Sequence, residues 1–514
     1  MLVLPLKRWL SVSAGAPGTG ASQAGRPGLP PWLRPMPRPM PRLMRRLAGG
    51  GGGREAVEGR RQKAMRRGAR RAALLALLLA LLLSLGGGAA QAQRWRVPPR
   101  PVRLRLPRTS LPAELAPGPV ALDPAPFQFD RPGRRQASLP MQVQRNLLIV
   151  SFMVNGIGPL NFMLDSGVST AILTDPAVAD ELGLLRGQPY RVVGAGGETT
   201  GLLAHEIQGI RLSAGRVVAP NMRMLVLSED VLNLSGYVGM PIHGILGSEL
   251  FRSFVVRVES EEPRLILTAP DHYRPPRGRR WASLPLTLIA NKAYLNLPVQ
   301  LTDSLALPLR LVLDTGAGHA LSLEAGSAPQ LTVPPRRVRA ELGRGLTGFI
   351  RGYLSRVTAL QLGRYRLPAV ITSFPDSNQV HLRAGVPRNG NVGYELLKRF
   401  SLVIDYPHRR LLLRPNGQYR EPFEHDMCGL DLVAAGPDFR RYLVLHVDPD
   451  SPAASAGLLV NDEIVSINLL PVSFFTLTQL SRMFHSAEGR ALLLLVRRAD
   501  GELHTTTLHL RRQI

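Results

Sequence analysis

The fold is decided by two short stretches, FMLDSG at residues 162–167 and LVLDTG at residues 311–316. In each, apolar residues lead into an Asp-Ser/Thr-Gly turn, and a second apolar segment follows the turn. Short apolar runs bounded by turn residues are typical of buried strands. The two aspartates, Asp165 and Asp314, lie 149 positions apart. This spacing predicts that one β-rich unit occurs twice in the chain.

Two further features repeat with nearly the same spacing. The segment GSELFRSFVVRVE from Gly247 matches GYELLKRFSLVID from Gly393, and each predicts a short helix followed by a β-hairpin. A glycine-rich segment also follows each Asp motif and predicts a hairpin with a mobile tip. The glycines of the tips are Gly194, Gly196 and Gly197 in the first copy, and Gly343, Gly345 and Gly348 in the second. We therefore expect two β-rich lobes, residues 138–270 and 281–417, separated by a polar, Pro-rich break.

Two aspartates brought together by a pseudo-twofold axis have a specific chemistry. Both carboxylates cannot ionise at low free-energy cost, so they share one proton. The ionised member can take a proton from water while the protonated member gives one to a carbonyl oxygen, which is general acid–base hydrolysis. Gly167 and Gly316 let the backbone turn sharply, and the hydroxyls of Ser166 and Thr315 can brace the opposite turn. Structurally unremarkable β-turns are the alternative reading of both motifs.

The region 138–417 resembles retropepsin-like aspartic peptidases, in the duplicated single-chain form found in exported bacterial proteins. The LDSG and LDTG segments match the catalytic loop of that family. ILG at 245–247 and NVG at 391–393 match its apolar-apolar-Gly segment before the short helix. Asn391 departs from the usual apolar residue and Val168 from the usual alanine, but neither change removes an aspartate.

The resemblance implies a role for each residue of the two turns. Asp165 and Asp314 would be the catalytic dyad, Ser166, Gly167, Thr315 and Gly316 would brace it, and the glycine-rich hairpins would be flaps. The resemblance also implies two β-barrel lobes in a pseudo-twofold arrangement. Because the duplication supplies both halves of the site in one chain, we expect a monomer.

Residues 426–512, called the C-terminal module below, have a different pattern. Strand, turn and short helix are predicted from Leu443, an amphipathic helix at 476–484, and two closing strands at 491–497 and 503–510. The module resembles a bacterial PDZ domain through SPAASAGL at 451–458 and NDEIV at 461–465. The expected carboxylate-binding loop consists of Gly429, Leu430, Asp431 and Leu432. Such a loop aims backbone N–H groups at a peptide C-terminus, and a purely structural cap is the alternative.

The N-terminal region predicts export. A cationic segment at 65–71 precedes fourteen residues of almost only Ala and Leu at 72–85, and AQA at 90–92 follows. The apolar run is shorter than the roughly 20 residues that span a bilayer. We interpret residues 65–92 as a cleaved signal peptide, with an uncut anchor as the alternative. Residues 1–64 then read as a disordered, over-extended start and 93–137 as a Pro/Arg-rich linker.

Composition excludes several classes of function. The net charge is +27, but the first 100 residues hold 19 of the 64 Lys and Arg residues, and aromatic residues are only 5%, so no nucleic-acid partner is expected. The single cysteine, Cys428, excludes a disulfide framework and Cys-based metal sites. The histidines show no metal-ligand spacing, and His319 has no Ser or Cys partner in a recognisable motif. We expect no cofactor and no metal.

Together these patterns predict a mainly β protein with two retropepsin-like lobes followed by a PDZ domain. The predicted function is an exported aspartic endopeptidase in the periplasm, outside the cell or on the surface of a bacterium, without a stable membrane anchor after signal cleavage. Its partners would be a peptide or protein substrate in the cleft and peptide C-termini at the C-terminal module. The alternative is a non-catalytic protein that binds peptides through the same two sites.

Overall fold

The computed structural model describes residues 125–194, 201–345, 348–376 and 386–514, together with a short strand at Leu2–Pro5. The predicted signal peptide and most of the predicted linker lie outside the described residues. Within the stretch 1–64, which the sequence predicts to be disordered, Leu2–Pro5 instead form a strand that pairs antiparallel with residues 190–193. The last part of that linker contacts the first lobe, since Phe127 is buried and its N–H donates to Ser253 Oγ. Among the described residues, no helix is both long and apolar enough to cross a membrane.

The first lobe is built from short strands with three short helices between them. Its strands are β1 (Leu2–Pro5), β2 (Gln128–Phe129), β3 (Gln136–Pro140), β4 (Gln142–Gln144), β5 (Leu147–Val154), β6 (Ile157–Leu164), β7 (Ile172–Leu173), β8 (Pro189–Val193), β9 (Leu202–Ala214), β10 (Val217–Leu227), β11 (Gly244–Leu246), β12 (Val255–Glu259) and β13 (Arg264–Thr268). The helices are α1 (Pro176–Glu181), α2 (Leu234–Val238) and α3 (Glu249–Ser253). The sheet order is β1-β8-β9-β10-β7-β11-β6-β5-β4, and β5 also pairs with β9, which closes the sheet on itself.

The second lobe repeats this plan. Its elements are β14 (Ala282–Pro285), β15 (Thr287–Ile289), β16 (Lys292–Gln300), β17 (Ala306–Leu313), β18 (Leu321–Leu323), β19 (Arg337–Gly345), β20 (Gly348–Leu362), β21 (Tyr365–Pro375), β22 (Gly390–Val392), α4 (Tyr394–Leu397), β23 (Phe400–Asp405) and β24 (Arg410–Pro415). The sheet order is β15-β16-β17-β22-β18-β21-β20-β19, and β16 also pairs with β20. In each lobe the strand that leads into the aspartate pairs in parallel with a short strand that leads into a helix. In the first lobe β6 pairs with β11, which precedes α3, and in the second lobe β17 pairs with β22, which precedes α4.

A shared sheet joins the two lobes. Its order is β14-β24-β23-β12-β13-β3, so the hairpin of each lobe lies at the centre. Strands β12 and β23 pair antiparallel, with Val256 opposite Ile404 and Val258 opposite Leu402. Their buried apolar side chains continue one hydrophobic core through both lobes. This sheet therefore fixes the lobes across a pseudo-twofold axis, as the repeat predicts.

The C-terminal module has a sheet and a core of its own. Its elements are β25 (Leu430–Ala435), β26 (Arg441–Val447), α5 (Pro452–Ser455), β27 (Glu463–Ile467), β28 (Leu470–Pro471), α6 (Leu477–Phe484), β29 (Ala491–Arg497) and β30 (Leu503–His509). Thr476 and Gln479 cap the start of α6 reciprocally, and the apolar stripe of that helix is buried. The mainly β fold class with this additional module is confirmed.

Candidate active site

The two aspartates stand at the ends of equivalent strands. Asp165 follows β6, and its N–H donates to Leu246 O in β11 over 2.8 Å. Asp314 follows β17, and its N–H donates to Val392 O in β22 over 3.0 Å. Each turn is thus held by the neighbouring strand of its own lobe, in addition to its contacts across the axis.

The hydroxyls next to the aspartates brace the opposite turn. Ser166 N–H donates to Thr315 Oγ1 (3.0 Å), and Thr315 N–H donates to Ser166 Oγ (3.1 Å). Each hydroxyl then donates to a carbonyl of the other lobe, Ser166 Oγ to Leu313 O (2.7 Å) and Thr315 Oγ1 to Leu164 O (2.9 Å). Both side chains are fully buried, so water does not compete for these four bonds.

The glycines bring the two turns close enough for their carboxyl groups to interact. A Cβ atom at Gly316 would lie 2.2 Å from Asp165 Cγ, and one at Gly167 would lie 3.0 Å from Asp314 Cγ. The first distance excludes any side chain at Gly316 unless Asp165 moves. The structure therefore brings together all six residues that the two Asp-Ser/Thr-Gly motifs contribute.

The environment of the pair is unequal. Asp165 is only 8% exposed, and its burial, followed by the neighbouring charge of Asp314, raises its pKa to about 7. Asp314 is more exposed, and Asn391 Nδ2 donates to Asp314 Oδ2 over 2.6 Å. An amide donor matches an ionised carboxylate. Below about pH 7 Asp165 therefore keeps its proton.

Asn391 is itself oriented by a histidine. His319 Nε2 lies 3.2 Å from Asn391 Oδ1. Burial lowers the pKa of His319, which keeps the ring neutral. A neutral ring with its proton on Nε2 donates to Oδ1, which leaves the amide nitrogen of Asn391 facing Asp314. His319 has no recognisable partner motif in the sequence; the signal for this chain of contacts is the polar residue in NVG.

A buried lysine also lies near the dyad. Lys292 begins β16 and is 8% exposed. Burial lowers its pKa, and its charge acts on Asp165 in the direction that favours the ionised carboxylate. The equivalent position of the first lobe is Leu147, which is buried as an ordinary core residue. No motif in the sequence points to Lys292.

The predicted flaps are hairpins with partly described tips. In the first lobe β8 pairs antiparallel with β9, Gly194 follows β8, and Gly196 and Gly197 lie outside the described residues. In the second lobe β19 pairs with β20, and Gly345 lies opposite Gly348 at the end of the ladder. Gly343 and Gly348 have positive φ angles of 134° and 110°. Their role over the cleft stays a prediction.

The predicted carboxylate-binding loop has an acceptor from its own chain. Asp426 Oδ2 accepts hydrogen bonds from the N–H groups of Cys428 (3.1 Å), Gly429 and Leu430 (3.3 Å). Asp431 and Leu432, the other two predicted loop residues, lie in strand β25. Within the described parts of the chain, no group of three or more His, Cys, Asp or Glu residues could hold a metal ion.

Two regions of the chain match models of known protein families. Residues 150–250 match a family model described as an aspartyl protease, and residues 443–498 match one described as a PDZ domain. The first match contains Asp165, whereas Asp314 lies between the two matched ranges and outside both. No curated protein matches the chain.

Similar solved structures include two seed proteins and one proteinase. Basic 7S globulin from soybean has a TM-score of 0.32 and 12% identity, covering 56% of this chain and 97% of its own. Conglutin gamma, a basic 7S globulin from lupine seeds, has a TM-score of 0.34 and 12% identity, covering 55% and 95%. Aspartic proteinase from Irpex lacteus has a TM-score of 0.35 and 14% identity, covering 56% and 99%.

Proposed function

We propose that the chain is an aspartic endopeptidase in which Asp314 is the base and Asp165 the acid. The observation that carries this proposal is the reciprocal pair of hydrogen bonds between Ser166 and Thr315. These bonds hold the carboxyl groups of the two adjacent aspartates close together in unequal surroundings. A pair of turns with only a structural role would need neither the close approach at Gly316 nor a donor on Asp314.

The geometry supports a two-step hydrolysis. Asp314 takes a proton from a water between the carboxyl groups, the water oxygen bonds to the peptide carbon, and Asp165 gives its proton to the carbonyl oxygen. The tetrahedral diol then collapses. Asp314 passes its proton to the leaving nitrogen, the C–N bond breaks, and a diol hydroxyl returns its proton to Asp165. Both carboxyl groups end in their starting states, and no covalent enzyme intermediate forms.

Export belongs to the same proposal. A chain with the predicted leader at residues 65–92 would meet its substrates outside the cytoplasm, in the periplasm, at the cell surface or beyond. N-terminal sequencing of the exported protein tests this, and the expected first residue is Gln93. A mature protein that begins before Met65 contradicts it.

The central experiment compares the purified chain with single carboxyl-to-amide variants on a peptide library, read by mass spectrometry. Asp165→Asn and Asp314→Asn should abolish cleavage while the fold persists, because Asn is nearly isosteric. Asp303→Asn is the matched control, since Asp303 lies on an exposed turn of the second lobe. If the unaltered chain binds peptides without cleaving any, the peptidase proposal fails and a peptide-binding protein takes its place.

A further inference from the structure

The C-terminal module contains a groove of the kind that binds extended peptides. Its walls are strand β25 and helix α6, which lie next to each other. Among the described residues β25 pairs only with β26, so it is an edge of its sheet. An edge strand offers free backbone groups to an added strand.

The first lobe reaches into this groove with the turn between β4 and β5. Arg145 Nη1 donates to Leu432 O in β25 over 3.1 Å. The backbone N–H of Arg145 donates to Thr478 Oγ1 in α6 (3.1 Å), and Thr478 Oγ1 donates to Gln144 Oε1 (2.6 Å). One turn thus bonds to both walls and occupies a backbone acceptor that a bound peptide would use.

Helix α2 of the first lobe covers the same edge. A Cβ atom at Gly236 would lie 2.7 Å from Val433 Cγ2 in β25, and one at Gly239 would lie 3.1 Å from Leu477 Cβ in α6. A Cβ atom at Gly236 would force a neighbouring side chain to move, and Gly239 has a positive φ of 82° that favours glycine. Between them, the Tyr237 ring stacks on the Arg145 guanidinium at 4.2 Å. The groove is therefore filled by packed residues of the same chain.

The end of the groove that would receive a terminal carboxylate is filled as well. Three successive N–H groups, of Cys428, Gly429 and Leu430, converge on Asp426 Oδ2. Such a cluster of N–H groups is what captures the carboxylate of a peptide C-terminus. In this chain a side-chain carboxylate already occupies that position.

The residue next to Arg145 connects this docking to the dyad. Asn146 Nδ2 donates to Gly318 O (3.2 Å), in the turn after Asp314, and to Glu395 Oε2 (2.8 Å) in α4. Lys398 Nζ donates to Asn146 Oδ1 over 3.1 Å. Arg145 and Asn146 both have positive φ, 45° and 61°, so they form a tight two-residue turn. Movement of Arg145 is therefore passed to Asn146.

The second lobe supplies a comparison within the molecule. Its equivalent turn holds Ala290 and Asn291, and Ala290 O accepts from Ser169 Oγ over 2.9 Å, in the turn after Asp165. Each hairpin thus contacts the active-site turn of the other lobe. The position of Arg145 is an alanine there, so the arginine belongs to the hairpin that also bonds to β25 and α6.

We propose that the groove of the C-terminal module holds the first lobe of its own chain, and that Arg145 is thereby a positioning residue for the active-site turn after Asp314. The positioning part rests on the peptidase function proposed above, whereas the docking does not. In this arrangement the module clamps the catalytic lobes and does not receive free peptide C-termini.

Docking is tested on the full chain without reference to activity. Amide hydrogen exchange should accelerate at least tenfold in β25 and α6 of Arg145→Ala, and stay unchanged in β29 and β30. Arg216→Ala, which loses only an exposed ion pair with Asp130, is the control. Unchanged exchange in β25 and α6 of Arg145→Ala overturns the proposal. This result stands whether or not the chain cleaves peptides.

Positioning is tested by kinetics on a short peptide that is too short to reach the module. Arg145→Ala and Asn146→Gly should each lower kcat about tenfold with little change in KM, and Arg145→Lys should recover part of the loss. Glycine keeps the positive φ of Asn146, so only the side-chain contacts are removed. Asn155→Gly is the matched control: Asn155 has φ 51° in another turn of the first lobe, and its side chain accepts a hydrogen bond from Arg211 N–H, away from the C-terminal module. Unchanged kcat in both variants refutes the positioning role.

The same proteins report on peptide binding. Fluorescent peptides with a free or an amidated C-terminus should bind the unaltered chain with equal affinity. A preference of tenfold or more for the free C-terminus, retained in Arg145→Ala, shows an open groove and overturns the clamp.

Discussion

Asp165 and Asp314 end equivalent strands, but different side chains surround them. Behind Asp165 the first lobe places Ile245, buried in an apolar cluster, where the second lobe places Asn391 beside Asp314. The duplicated fold makes the two carboxyl groups neighbours, and the residues that break the duplication make them unequal. In the proposed peptidase, a few positions at which the two lobes differ would therefore assign the acid and base roles.

The largest effect should come from removing either half of the pair. Because the two carboxyl groups act as one unit, each single Asp→Asn change should lower kcat by at least about a thousandfold, and the double variant little further. The unaltered chain should lose activity as pH rises through about 7, where Asp165 gives up its proton. A pH–rate profile and the three variants test this. If the losses of the two single variants multiply in the double variant, the two aspartates contribute independently and do not act as one unit.

The brace should matter for stability equally in both lobes. Thr315→Val keeps the shape of the side chain but leaves the buried N–H of Ser166 and the carbonyl of Leu164 without their partner. The free energy of unfolding should fall by about 2–4 kcal/mol. Ser166→Ala should cost a similar amount, and Thr315→Ser, which keeps both bonds, much less. Denaturant titration measures all three, and a large difference between the lobes would contradict the symmetry of the brace.

The sequence predicted these symmetric features because they are local. An apolar strand, an Asp-Ser/Thr-Gly turn and a repeat at constant spacing lie within short segments, and so do the capping residues and apolar stripe of α6. The asymmetric features depend on packing between distant residues. Asn391 reaches Asp314 from 77 positions away, and Arg145 meets Thr478 from 333 positions away. No spacing rule in one sequence predicts such pairs, although the polar residue in NVG marks one of them.

The pH dependence of stability should also distinguish the lobes. In the unfolded chain Asp165 has the ordinary pKa of 3.8, and in the folded protein about 7. Between these values unfolding releases a proton, so the free energy of unfolding falls as pH rises from about 4 to 7. Asp165→Asn removes this loss and should raise Tm more at pH 7 than at pH 4. Thermal unfolding at both values checks the sign, and an equal change in Tm at both would place the shared proton elsewhere.

A smaller effect is expected from a substitution that makes the second lobe resemble the first. Asn391→Leu removes the donor that faces the ionised Asp314. We expect kcat near neutral pH to fall about tenfold, because the carboxyl group of Asp314 loses its hydrogen-bond donor. Asn296→Leu, at an exposed position of β16, is the control. An unchanged kcat would show that Asn391 serves packing alone.

The smallest effect should come from the other difference between the lobes, Lys292 against Leu147. The charge of Lys292 favours the ionised form of Asp165, so its removal should let Asp165 keep its proton to higher pH. Lys292→Met fills a similar volume without charge, and the basic limb of the pH–rate profile should move upward by less than about one pH unit. Leu147→Met introduces the same residue at the equivalent place in the first lobe without removing a charge, and it should leave the basic limb unchanged. If both variants shift the limb equally, packing at the two hairpins, and not the lysine charge, sets the acidity of Asp165.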